Sequence, residues 1–224
     1  MTTKIASTET SELAPEPRGR LSRWASFVGP TLGVGFLFGV LTLVMTWPVI
    51  KGLRHHFITW GDPVFQAWTM AWDVHAWLTD PLHVFQANIF YPYRNTLAYS
   101  DHLFGQAALM FPVLLFSGTQ ILADNLSTFI ALAASALAMY LMVRDLGCSR
   151  PAAFVAGIAY AFAPARLAHI EHLHLLSAQW LPLAVLCCRR ALRGKRRRWG
   201  WAIGAGACVL LQGLFGVYFF YFMA

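Results

Sequence analysis

Six apolar runs, at about 28 to 50, 103 to 122, 124 to 143, 151 to 165, 175 to 188 and 201 to 223, constrain this chain more than any other feature. About 20 apolar residues in a helix cross the roughly 30 Å hydrocarbon layer of a bilayer. The runs therefore predict an all-α, polytopic integral membrane protein. Composition points the same way, with 58% hydrophobic and 12% charged residues, where an average soluble domain has about half and a quarter. The net charge of +7 is concentrated in "RRALRGKRRR" at 189 to 198. Such a cluster reads as a cytoplasmic anchor, with a polyanion partner as the alternative.

Orientation follows from where Lys and Arg fall. With a cytoplasmic N-terminus and a non-crossing run at 103 to 122, the inside carries four in the N-terminal tail, two at Arg144 and Arg150, and seven from Arg189 to Arg198. The outside then carries three between the first two runs and one at Arg166. If that run crosses and the N-terminus is outside, the counts change little, so the charge rule barely separates the two topologies. Pro112 and the short apolar stretch before Gly118 favour a juxtamembrane or re-entrant segment there. The predicted organisation is a cytoplasmic tail over 1–27, a first transmembrane helix over 28–50 and an extracytoplasmic loop with interfacial helices over 51–123. Four further transmembrane helices follow over 124–224, about five spans in all.

The first run is too long for a signal-peptide core, so it reads as an uncleaved anchor. Its Gly29, Gly33, Gly35 and Gly39 are spaced to let neighbouring helices approach closely. The last run ends without a polar tail, from which we expect the N-terminal portion of a longer polytopic protein. Cys148, Cys187, Cys188 and Cys208 all lie outside the large first loop, so no disulfide framework is implied.

The first loop opens on "HHFITWGDPVFQAWTMAWDVHAW", which holds four of the nine tryptophans. After Asp62-Pro63 the polar exceptions Gln66, Thr69 and Asp73 recur at helical spacing. This predicts an interfacial helix with a narrow wet stripe and a broad aromatic face of Phe65, Trp68, Trp72 and Trp77, since indole rings suit the headgroup layer. The same pattern would serve a helix buried among helices. Asp62 before Pro63 reads as a helix cap, and the pair recurs at Asp80-Pro81. A carboxylate at a membrane surface can also be catalytic. Beyond Pro81, Tyr91, Tyr93, Arg94, Asn95, Tyr99, Asp101 and His102 place hydrogen-bonding groups on a ring-lined surface. Such a mixture suits an amphiphilic ligand, particularly a sugar, or else a loop that satisfies itself.

The second loop, "ARLAHIEHLHLLSAQW", carries Arg166, His169, Glu171, His172 and His174. On a helix His169 and His172 share a face, whereas His172 and His174 do not. Imidazoles and a carboxylate can bind a divalent metal, although the His-Glu-x-x-His arrangement is absent. Arg166 with neighbouring histidines can instead hold a phosphate. The bland reading is a helix whose polar residues face water.

A first span, then "GDP" with an aromatic helix, then "DPLHVFQANIFYPYRNTLAYSDHLFGQAALMFP", then "RLAHIEHLHLLSAQWLPL" before a basic loop, resembles the N-terminal module of the GT-C superfamily of integral-membrane glycosyltransferases. Protein O-mannosyltransferases and aminoarabinose transferases belong to it. The resemblance covers most of residues 28 to 200 and rests on the ordered set of motifs. It implies a multi-span helical fold, a polyprenyl-phosphate-linked sugar donor used on the extracytoplasmic face, and a large first loop with juxtamembrane helices. It also implies a catalytic base shortly after the first span, a place occupied by Asp62. A second acidic residue in the second extracytoplasmic loop matches Glu171. The usual further spans are missing, so the resemblance implies an incomplete module.

The expected activity is transfer of a sugar to a glycan, lipid or protein acceptor, with Asp62 as general base. Arg94, Tyr99, Asp101, His102, Arg166, His169, Glu171 and His172 are the candidate substrate-binding residues. Positive donors among them would stabilise the leaving phosphate, and a divalent metal is an open option. The partners are the donor, membrane lipid and the acceptor, not nucleic acid. The location is the cytoplasmic membrane, multi-pass, with the N-terminus inside. Two rivals remain at this level: a transporter or lipid flippase, for which no internal repeat is found, and a noncatalytic scaffold.

Overall fold

A computed structural model describes residues 20–193 and 198–223, with side chains described from Gly29 onward. Every regular element among them is a helix. These are α1 (Arg20–Met45), α2 (Asp62–Thr79), α3 (Phe104–Ser117), α4 (Gln120–Asp145), α5 (Arg150–Ala161), α6 (Pro164–Leu167), α7 (Leu173–Leu176), α8 (Trp180–Arg193), α9 (Arg198–Phe215) and α10 (Val217–Met223). Of the expected tail, residues 1–19 lie outside the described residues, while 20–27 are helical and continue into α1. The chain divides into a small unit up to Gly33, holding the start of α1 with Pro30 inside it, and a main unit from Val34 onward. All that follows concerns the main unit.

Two helical stretches among the described residues are long and apolar enough to cross a membrane, Gln120–Asp145 and Leu173–Arg193. The second is α7 and α8 joined across 177–179. The other apolar runs form shorter helices. The first run stays helical only to Met45, and α5 has 12 residues. The 14 residues of α3 reach about 21 Å at 1.5 Å each, and α3 ends at Gly118, whose φ of +63° suits a residue without Cβ.

The centre of the main unit is α4, which packs against α5, α8, α2, α3 and α7. Small residues on its buried side, among them Ser127, Ala131, Ser135 and Ala136, let its neighbours come close. Phe38 of α1 is fully buried against it and stacks on Phe154 of α5 at 4.8 Å. The close approach expected of the α1 glycines occurs instead at Gly157 of α5. A Cβ there would meet Phe38 Cζ at 2.6 Å and the Ala136 carbonyl oxygen at 2.7 Å, whereas Gly35 meets only Leu137, at 3.6 Å. At its far end α4 is clasped to α8: Asp145 accepts from Arg189 and, at 2.6 Å, from Arg190 Nε. All four cysteines are free.

The face pattern of α2 is the reverse of the expected one. Gln66, Thr69 and Asp73 do form a stripe, but all three are buried, with Thr69 and Asp73 at 0% exposure. The stripe looks into the protein, where Met70 and Val74 on the same face join the core. The outer face carries a ladder of rings, Phe65 on Trp68 at 5.7 Å and Trp68 on Trp72 at 6.1 Å. Helical periodicity defines a stripe without saying which side holds water. The Trp72 indole is tied down by a bond to the Val84 carbonyl at 2.8 Å, so the segment after α2 folds back along the helix.

Candidate functional site

Asp62 is the first residue of α2, and its side chain makes no capping hydrogen bond. The cap position is Gly61, at φ +108°, a region glycine alone enters freely. The expected capping role is thus corrected. With Pro63 following it, the carboxylate is free to point elsewhere, while the helix N-terminus still favours its negative charge.

It points to the second loop. Asp62 Oδ2 lies 3.2 Å from His172 Nε2, a contact between residues from opposite ends of the sequence signal. The contact is enforced one turn further along α2 by Gln66. Its amide nitrogen donates to the Glu171 carbonyl at 2.8 Å, and its amide oxygen accepts from the Leu173 N–H at 3.1 Å. A buried side-chain amide that satisfies backbone groups on both sides of His172 fixes that residue beside Asp62.

The histidines meet in a way that helical spacing did not predict. Residues 168–172 are turns, and α7 starts only at Leu173. The His172 ring therefore reaches both His169, at 5.3 Å, and His174, at 5.8 Å. His174 is nearly buried, stacks on Tyr218 at 5.3 Å, and has Nε2 3.7 Å from Asp101 Oδ2. Burial lowers the pKa of the His174 imidazole below its ordinary value; Asp101 and Asp62 oppose that shift and His172 adds to it. His174, not singled out as a site residue in the sequence, is central here. Glu171 approaches His172 Nδ1 only to 3.9 Å, beyond hydrogen-bonding distance.

Asp62, Asp101 and His174, with Gln66, Phe65 and Ser100, enclose a polar pocket of about 130 Å³. Phe65 and Ser100 are also walls of a larger cavity of about 580 Å³, otherwise lined by rings of the first loop including Tyr91, Tyr93 and Tyr99. That volume lies within the usual 300–1,000 Å³ range for small-molecule sites. The polar pocket opens where α2, the end of the first loop and the second loop converge.

Other expected site residues stand elsewhere. Arg166 turns inward, donating to the carbonyls of Tyr160 and Leu176 and to the Ser135 hydroxyl, with its guanidinium 5.0 Å over the Tyr160 ring. It ties the segment after α5 to α4. The His102 ring stacks on Phe104 at 4.7 Å, and burial lowers its pKa, with Asp101 opposing. Arg94 is exposed on the first loop. Among the described residues no group of three or more His, Cys, Asp or Glu side chains is placed to hold a metal ion.

Compared with protein-family models, curated proteins and solved structures, the chain matches none.

Proposed function

We propose that this protein is a membrane glycosyltransferase of the GT-C type, moving a sugar from a polyprenyl-phosphate donor to an acceptor on the extracytoplasmic face, with Asp62 as general base. The observation that carries the reading is the meeting of Asp62 with His172 at 3.2 Å, beside a cavity of ligand size. In this reading the chain is multi-pass in the cytoplasmic membrane, with a cytoplasmic N-terminus and about five spans. Both loops then lie outside, and α3 stops short of crossing.

The chemistry assigns each group a task. The acceptor oxygen bonds to the anomeric carbon as the bond from that carbon to the phosphate oxygen breaks, its electron pair leaving on the polyprenyl phosphate. The hydroxyl proton passes to Asp62. His172, fixed through Gln66, orients the carboxylate. With Arg166 engaged inside the protein, the donors nearest the leaving phosphate are His172 and, from the loop, Arg94.

The test uses the full chain reconstituted in vesicles with a labelled polyprenyl-phosphate sugar. Asp62→Asn is expected to abolish donor consumption, a loss of at least a hundredfold as is usual for a removed general base, while insertion is unchanged. Normal turnover in that variant sinks the assignment. A transporter is the second reading, favoured by the break between α9 and α10 at Gly216, where a Cβ would come within 2.7 Å of the His174 carbonyl oxygen. A transporter would deliver the label intact to the other side of the vesicle.

A further inference from the structure

The wall of the larger cavity is unusual for a surface loop. Phe90, Tyr91, Tyr93 and Tyr99 are 72%, 96%, 73% and 86% exposed. Four large rings left in the open forgo the burial that normally stabilises such side chains. Phe90 also holds φ at +57°, a region bulky side chains avoid. The loop beneath them is nevertheless well tied. Gln86 Oε1 accepts from the Asn95 N–H at 2.9 Å, the Leu97 N–H donates to the Phe85 carbonyl at 3.2 Å, and the Thr96 hydroxyl donates to the Ile89 carbonyl at 3.2 Å. The rings are held out from a fixed backbone.

Their chemistry selects the occupant. Three rings end in hydroxyls and Ser100 adds another, so the cavity offers flat apolar faces edged by hydrogen-bonding groups. A pyranose ring presents the complement, with C–H faces to stack and hydroxyls at its rim. A prenyl or acyl chain would use none of the hydroxyls and is already surrounded by lipid as apolar as the rings, which leaves little to drive it in. The walls shared with the Asp62 pocket, Phe65 and Ser100, place a hydroxyl of such a sugar toward the carboxylate.

We infer that the aromatic cavity binds a pyranose ring, and that this ring belongs to the acceptor. Only the word acceptor rests on the transferase reading. The experiment takes the full chain in lipid nanodiscs with the methyl pyranosides of glucose, galactose, mannose and N-acetylglucosamine, followed by saturation-transfer NMR. Transfer to the ring C–H protons of at least one pyranoside is expected. It should weaken at least tenfold in the Tyr93→Ala/Tyr99→Ala double variant and persist in Asp62→Asn. Both tyrosines are mostly exposed, so their truncation removes little packing, and an unchanged helical circular dichroism spectrum verifies the fold. No transfer to any of the four, or equal transfer in the tyrosine variant, overturns the inference. So does tyrosine-dependent transfer to farnesyl phosphate in place of the pyranosides. Pyranoside binding without donor turnover supports this site while sinking the transferase reading; donor turnover without pyranoside binding does the reverse.

Discussion

Asp73 shows how much a single buried carboxyl shapes this protein. It is fully buried on α2, neither of its oxygens has a hydrogen-bond partner, and burial pushes its pKa up to about 7. An unfolded aspartate titrates near 3.9, so between about pH 4 and 7 the folded chain keeps a proton that the unfolded chain has released. Stability from this residue is therefore greatest below about pH 4, falls as the pH rises through that window, and levels off above it. At 1.36 kcal/mol for each pH unit the whole effect is at most roughly 4 kcal/mol. Asp73→Asn is expected to raise the melting temperature of the detergent-solubilised chain at pH 8 and to flatten its dependence between pH 4 and 7. An identical pH profile in the variant would show that the carboxyl is solvated. Asp62, eleven residues earlier on the same helix, is the contrasting case, since it keeps over half its side chain exposed and faces an imidazole.

Between elements, the decisive contact is Gln66 with the second loop. Removing the amide leaves the Leu173 N–H buried without its acceptor, which costs about 1–3 kcal/mol. Gln66→Ala is therefore expected to speed hydrogen exchange at residues 171–176 by tenfold or more while α4 stays protected, and uniform exchange across the chain would refute a local role. That contact also marks the limit of what could be read in advance. Asp62, Asp101 and His172 stood out because charged and imidazole groups at the ends of apolar runs are conspicuous, and the structure brings them, with His174, around adjoining contacts. The position of Gln66 was visible as a polar interruption, but a stripe of polar residues looks the same whether it meets water or a neighbouring backbone. His174 was passed over because helical spacing was applied to a segment that turns. Arg166 looked like an anion donor, and nothing local to it reveals that three oxygen acceptors on other segments already surround it.

At the scale of the whole molecule, helical character was legible from the apolar runs alone, whereas the lengths were not. Run length counts apolar residues, but a helix stops where Pro, Gly or a capping group stops it, as at Gly118 after α3 and at Ser149, whose hydroxyl accepts from the Ala152 N–H before α5. The proposed topology has a direct check. A reporter fused near residue 85 is expected to be active only on the extracytoplasmic side, and a cytoplasmic signal would overturn the orientation and the site's location together. The Gln66 contact spans 105 residues of sequence, and this separation has a consequence for synthesis. At roughly 5–20 residues per second, a ribosome takes on the order of 5–20 s to make the partner of Gln66 after making Gln66 itself. Throughout that delay the nascent chain carries Gln66, Thr69 and Asp73 without the cover they later receive, so the segment least ready to meet lipid is also among the first to emerge.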